Sequence, residues 1–168
     1  ESDPTIIKKS KKILLPGVGS FDAAMKCINN TPDLLEVLNY KAKIDCVPVL
    51  GVCLGMQLLT RSSEEGILSG LDWIPATTKR IPKINGLKVP HMGWNIAKPT
   101  ELSLLTNNIS NSSRYYFVHS FCVHVDDHKY SLMKKVFSSP PCSFGVFLPC
   151  VKHGQIELAY QNQAGGSG

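Results

Sequence analysis

The sequence predicts an α/β domain: a mostly parallel sheet flanked by helices, with an additional antiparallel strand segment. Three observations carry this. The apolar run "VPVLGV" at residues 47–52 passes straight into the helical pattern "CLGMQLLTRSSEEG". A second apolar triplet, Ile13 to Leu15, is broken by Pro16 and Gly17 and then followed by another helical pattern. After Gly70 the character changes to short strand-like runs separated by Pro, Gly and polar turns.

The elements follow in order. "SFDAAMKCINN" reads as the first helix, with Ser20 or Asp22 near its cap. "TPDLLEVLNYKAK" offers Thr31 as a cap, Pro32 at the first helical position and an apolar face of Leu34, Leu35 and Leu38. A continuous apolar strand such as "VPVLGV" is expected where both faces are covered. The helix that begins at Cys53 is expected to end near Gly66. "LDWIPATTKRIP", "LKVPHMGWNIAK" and "RYYFVHSFCVHV" read as short strands, and "TNNISNSSR" as a polar loop. Residues 1–163 form one domain, and residues 164–168, "AGGSG", a linker-like tail.

Composition excludes several function classes. The chain has 168 residues, 43% apolar and 18% charged, which suits a single globular domain. No apolar run approaches the roughly 20 residues that span a bilayer, and "ESDPTIIKKSKK" lacks the apolar stretch of a signal peptide. The formal charge of +5 comes from scattered lysines. No basic block is interleaved with aromatics, so neither nucleic acid nor membrane is an expected partner. The six cysteines form no C-x-x-C pair, which argues against structural zinc; apolar contexts such as "IDCVPVL" and "VHSFCVHV" fit buried, reduced thiols in a cytoplasmic protein.

The chemistry centres on "GVCLG", residues 51–55. A nucleophile on a tight turn between strand and helix needs small neighbours, which Gly51 and Gly55 supply. The side chain of Cys53 then points outward at the edge of the sheet, where such folds bind ligands. Helix N–H groups favour thiolate, and the N–H of Leu54 is placed to help hold an oxyanion. A second donor is expected from "LPGVGSF", another glycine-rich turn after a strand.

Together, "LLPGVGSFDAAM", "PVLGVCLGMQLL", "SEEGILSGL", "KVPHMGWN" and "YYFVHS" resemble the class I glutamine amidotransferases, over about two thirds of the chain. Within them the motifs are most similar to the glutaminase subunit of imidazole glycerol phosphate synthase. The resemblance implies a flavodoxin-like fold and a cysteine hydrolase without cofactor or metal. Cys53 would attack the side-chain amide of glutamine. Gly17, Val18 and Gly19 would form an oxyanion strand, with the N–H groups of Val18 and Leu54 as donors. Gln57 and Glu65 would hold the amino-acid end of glutamine, and His119, Ser120 and Phe121 would line the same pocket. The family usually carries Tyr where Phe121 stands. "KVPHMGWN" would face a (β/α)8-barrel synthase or cyclase partner that receives ammonia.

The sequence departs from that pattern in one late segment. The family's base and orienting carboxylate lie in G-V-Q-F-H-P-E, and this chain contains no His-Pro-Glu. Its nearest match, "FGVFLPC", has Leu148 in place of histidine and Cys150 in place of glutamate. His153 and Glu157 are the other late His and Glu. Relative to the family, a first strand and helix upstream of "SDP" are also missing. Three functions stay open on the sequence: an ammonia-supplying glutaminase of histidine biosynthesis, a catalytically inactive binding subunit, and a paralogue feeding ammonia to sugar amidination in surface-polysaccharide synthesis.

Overall fold

The computed structural model describes residues 3–83, 88–100, 106–131, 133–135 and 142–144. Helix α1 (Pro4–Lys9), which the sequence reading missed, starts from Asp3, whose carboxylate accepts from Thr5 N–H. Strand β1 (Ile13–Leu15) falls on the predicted apolar triplet and pairs in parallel with β2 (Val49–Gly51), Ile13 opposite Val49 and Leu15 opposite Gly51. Between them lie α2 (Phe21–Asn30), α3 (Leu34–Asn39) and a π-helical turn, Tyr40–Ile44. Helix α2 is capped by Ser20, whose hydroxyl accepts from Ala23 N–H at 3.3 Å.

Two helix boundaries differ from the expectation. Helix α3 starts after Asp33, held at φ 61°, and Thr31 instead closes α2 by donating its hydroxyl to the Cys27 carbonyl at 2.7 Å. Two helices that nearly abut leave Thr31 to satisfy the end of the first rather than the start of the second. Helix α4 (Leu54–Leu58) is one turn and a half long and does not reach Gly66. The Thr60 hydroxyl donates to the Gln57 carbonyl at 2.8 Å, and the chain beyond it runs along the next strand. Thr78 N–H bonds the Ser62 carbonyl at 2.9 Å and Glu64 N–H the Thr78 carbonyl at 3.0 Å. Pairing with a strand captures "RSSEEG" before the helix can extend.

The later strands are β3 (Ala76–Arg80), β4 (His91–Ile96), β5 (Lys98–Pro99), β6 (Arg114–His119), β7 (Phe121–Val125), β8 (Met133–Lys135) and β9 (Cys142–Phe144). They form a five-stranded sheet in the order β3-β7-β9-β8-β5 and a separate β4-β6 pair. Every strand pair among them is antiparallel, so among the described residues parallel pairing is limited to β1–β2 and an isolated Ser63–Thr78 bridge, and the sheet is not mostly parallel. The run "RYYFVHSFCVHV" makes two strands, because Ser120 turns the chain from one sheet to the other.

The core that seats the elbow is built from Phe21, Met25 and Ile28 of α2, Leu34 and Leu38 of α3, Val49 of β2, and Leu54, Leu58 and Leu59 in and after α4, all buried. Each such side chain contributes roughly 1.5–3 kcal/mol on burial.

Candidate active site

Cys53 occupies the turn between β2 and α4 at φ 55° and ψ −115°, a backbone conformation that L-residues rarely adopt, and its side chain is exposed. Close packing around it explains the glycines. A Cβ on Gly51 would stand 2.7 Å from the Gly55 carbonyl oxygen, and one on Gly55 only 1.7 Å from the Leu15 carbonyl oxygen. Val52 N–H bonds that same carbonyl at 2.9 Å, so the turn is tied to the end of β1.

The loop after β1 rests against the start of α4: a Cβ on Gly17 would lie 2.9 Å from Leu54 Cβ and 3.3 Å from Gly55 N. Val18 follows, 94% exposed, and then Gly19 at φ 112°. Neither Val18 N–H nor Leu54 N–H has a hydrogen-bond partner among the described residues. Two unengaged amides on adjacent turns match the donor set that an oxyanion requires.

Gln57 points inward. It is buried, and its Oε1 accepts from the Ser63 hydroxyl at 2.7 Å. Ser63 Oγ in turn accepts from Glu65 N–H at 3.1 Å, linking the two polar residues that the sequence reading assigned to one substrate end. Glu65 Oε2 is buried and has no hydrogen-bond partner among the described residues. A carboxylate oxygen shut away from water without a donor is costly unless a cation or donor arrives.

His119, Ser120 and Phe121 form the corner between β6 and β7. His119 Nδ1 bonds the Phe121 carbonyl at 2.7 Å and its Nε2 lies 3.0 Å from His91 Nδ1. The Arg80 guanidinium stacks 4.8 Å over the Phe121 ring. His91 lies in the predicted strand "LKVPHMGWNIAK" and stands opposite His119 in the β4–β6 ladder, a pairing between residues 28 positions apart. Asp22, read only as a possible cap, spans 45 positions to accept from Ile67 N–H at 3.0 Å. Neither link leaves a local signature.

A second thiol, Cys122, is buried and 3.4 Å from His124 Nε2. Burial is the main reason the His124 imidazole titrates below its usual range, with the Lys79 charge adding to the effect and Glu64 opposing it. Residues 145–168, including Leu148, Cys150, His153 and Glu157, lie outside the described residues.

Comparison with known proteins bears on this arrangement. The sequence profile of the family described as glutamine amidotransferase class-I matches residues 1–139. The chain belongs to the class I glutamine amidotransferases. It is 47% identical over 132 residues to "Imidazole glycerol phosphate synthase subunit HisH 2" of Methanococcus maripaludis, covering 79% of this chain and 65% of that protein. It is 45% identical over 124 residues to the HisH subunit of Bdellovibrio bacteriovorus, covering 72% of this chain and 60% of the relative. Against that of Archaeoglobus fulgidus it is 42% identical over 127 residues, covering 75% and 60%. The chain thus spans under two thirds of the length of these curated relatives. The stretch that matches the class I glutamine amidotransferases takes in Cys53, the Val18 loop, Gln57, Glu65 and the His119–Phe121 corner, while Leu148 to Glu157 fall beyond it.

Proposed function

We propose that this chain carries the glutamine site of an ammonia-supplying subunit of imidazole glycerol phosphate synthase, acting in histidine biosynthesis. The names of its relatives support this reading over the surface-polysaccharide paralogue and over an inactive binding subunit. The observation that carries it is the exposed thiol of Cys53 on a strained turn against which the Val18 loop is packed.

The thiolate of Cys53 attacks the side-chain amide carbon of glutamine. A C–S bond forms, and the carbonyl oxygen takes the negative charge between Val18 N–H and Leu54 N–H. Collapse breaks the C–N bond and, with a proton, releases ammonia. Water then hydrolyses the thioester, giving glutamate and the free thiol. Glu65 Oε2, buried without a donor, receives the substrate's ammonium, and Gln57 holds the Glu65 backbone in place through Ser63.

Ammonia passes to a (β/α)8-barrel cyclase partner. The outer face of the β4–β6 pair suits docking: Met92, Trp94, Ile96, Tyr116 and Val118 are all exposed on it. The test is labelling by an electrophilic glutamine analogue, followed by mass spectrometry. Modification confined to Cys53 and blocked by glutamine supports the assignment, and an unlabelled Cys53 overturns it.

A further inference from the structure

We infer that His91 is a positioning residue: through the ring of His119 it fixes the Ser120 corner that borders the proposed glutamine pocket. The inference rests on that pocket reading for its functional meaning and on hydrogen-bond polarity for its structure.

The polarity follows from one end to the other. The Phe121 carbonyl can only accept, so His119 carries its proton on Nδ1, 2.7 Å away. A neutral His119 ring must then accept at Nε2, and His91 must donate from Nδ1 across 3.0 Å. That leaves His91 Nε2 as an acceptor, facing Asn95 Nδ2 at 3.4 Å. Asn95 is oriented independently, because its Oδ1 accepts from Ile96 N–H at 3.2 Å. The four residues therefore form one chain of donors, Asn95 to His91 to His119 to Phe121, with both imidazoles in the Nδ1–H tautomer.

The Phe121 carbonyl requires such a partner. Ile81 N–H bonds the Ser120 carbonyl at 2.8 Å, which makes that pair a bonded rung of the β3–β7 ladder. The next pair, Arg80 opposite Phe121, is then a non-bonded rung, and the Phe121 carbonyl faces away from β3. Arg80 N–H accordingly bonds Glu64 Oε2, at 2.7 Å. His119 supplies the missing donor, and His91 holds His119 at right angles, ring centroids 5.1 Å apart and planes at 89°. The chain switches sheets within a single residue here, so the brace sets where the Ser120 and Phe121 backbone stands. His91 and Asn95 are half-buried on one side of β4, while Met92, Trp94 and Ile96 on the other side are exposed. The strand proposed to meet the partner thus also holds the corner of the pocket.

Three measurements on the whole chain test this. Nitrogen-15 spectra above the imidazole titration range should show His91 and His119 protonated on Nδ1, the minor tautomer of free histidine. An Nε2–H tautomer at either ring overturns the inference. Amide exchange at Ser120 and Phe121 should quicken about tenfold in His91→Leu, equivalent to about 1.4 kcal/mol. It should stay within twofold of the original in His91→Asn, whose amide keeps the donor. Unchanged exchange in His91→Leu overturns the inference, and so does equal quickening in both variants. In analogue labelling of Cys53, His91→Leu should raise the half-saturating concentration and leave the limiting rate unchanged. A changed rate with unchanged half-saturation overturns the positioning role. If the unaltered chain is not labelled at all, the glutamine reading fails, and the spectra and exchange decide the brace without it.

Discussion

Gly55 and Leu15 touch through their backbones: a methyl group added to Gly55 would meet the Leu15 carbonyl oxygen at 1.7 Å, and no side-chain rotation can relieve it. The contact joins the helix after the elbow to the end of the neighbouring strand. Gly55→Ala is therefore expected to lower stability by roughly 3 kcal/mol or more, at or above the upper end of ordinary overpacking. Gly19→Ala has open space around the new methyl and meets only an unfavourable φ of 112°, which costs about 1–3 kcal/mol. Urea denaturation of the two variants should rank Gly55→Ala as the more damaging. The reverse ranking would mean that the elbow is not packed on β1.

The strain at Cys53 gives a second expectation. Its φ of 55° with ψ of −115° suits glycine, not cysteine. Replacing the residue with glycine should relieve backbone strain, and replacing it with alanine should not. Cys53→Gly is thus expected to be about 1 kcal/mol more stable than Cys53→Ala, even after the extra flexibility glycine gives the unfolded chain. Both should lose labelling by the glutamine analogue. Equal denaturation midpoints would show that the turn is relaxed and that its geometry is not held for chemistry.

How much of this was written locally in the sequence varies by element. β1, β2 and the cap at Ser20 were legible because apolar runs, glycines and a hydroxyl at a helix start act within a few residues. The glycines at 51 and 55 disclosed the elbow for the same reason. The end of α4 was not legible, since β3, some fifteen residues later, captures Ser62 to Glu64. The predominance of antiparallel pairing was missed because an isolated strand pattern does not encode its partner. Gln57 and Glu65 were picked out through family motifs, but the Ser63 hydroxyl that links them has no distinguishing pattern. The contact of His91 was not legible because its partner, His119, is brought to it only by strand register.

Glu65 supplies a prediction in which stability and binding move differently. Its buried Oε2 has no donor among the described residues, so Glu65→Gln relieves that unsatisfied carboxylate oxygen while nearly conserving shape. The folded chain should be unchanged or slightly stabilised. A substrate ammonium would lose its ionic partner, and a lost charge-assisted contact is worth about 1.5–3 kcal/mol. The half-saturating concentration of the glutamine analogue should rise roughly 10- to 150-fold. Unaltered saturation would remove Glu65 from the site.

Stability should also depend on pH through His124. Burial, foremost, lowers its titration below the reference value of 6.5, so the folded protein binds this proton less readily than the unfolded chain does. Its contribution is fully present above pH 6.5 and is lost as pH falls through the lowered folded value. Urea midpoints measured between pH 7.5 and pH 5 should decline, and His124→Gln should flatten the decline. Asp126, held low chiefly by its hydrogen bond from Arg61, acts below its reference value of 3.8 and stays outside this window. A decline that is equally steep in His124→Gln would place the responsible group elsewhere.

The outer face of the β4–β6 pair yields the last expectation. Trp94 and Tyr116 are paired across the strands with ring centroids 5.6 Å apart, yet both remain about half exposed, at 47% each. Met92, Ile96 and Val118 extend the same apolar surface. Interfaces concentrate their energy in a few such aromatic side chains, each worth 2 kcal/mol or more when central. Trp94→Lys places a charge in the middle of the patch without disturbing a buried contact. It should leave the urea midpoint nearly unchanged and weaken association with a cyclase barrel by at least about 30-fold, as read by titration calorimetry. Full affinity in Trp94→Lys would show that the partner docks elsewhere, and the apolar face of β4 and β6 would then need another occupant.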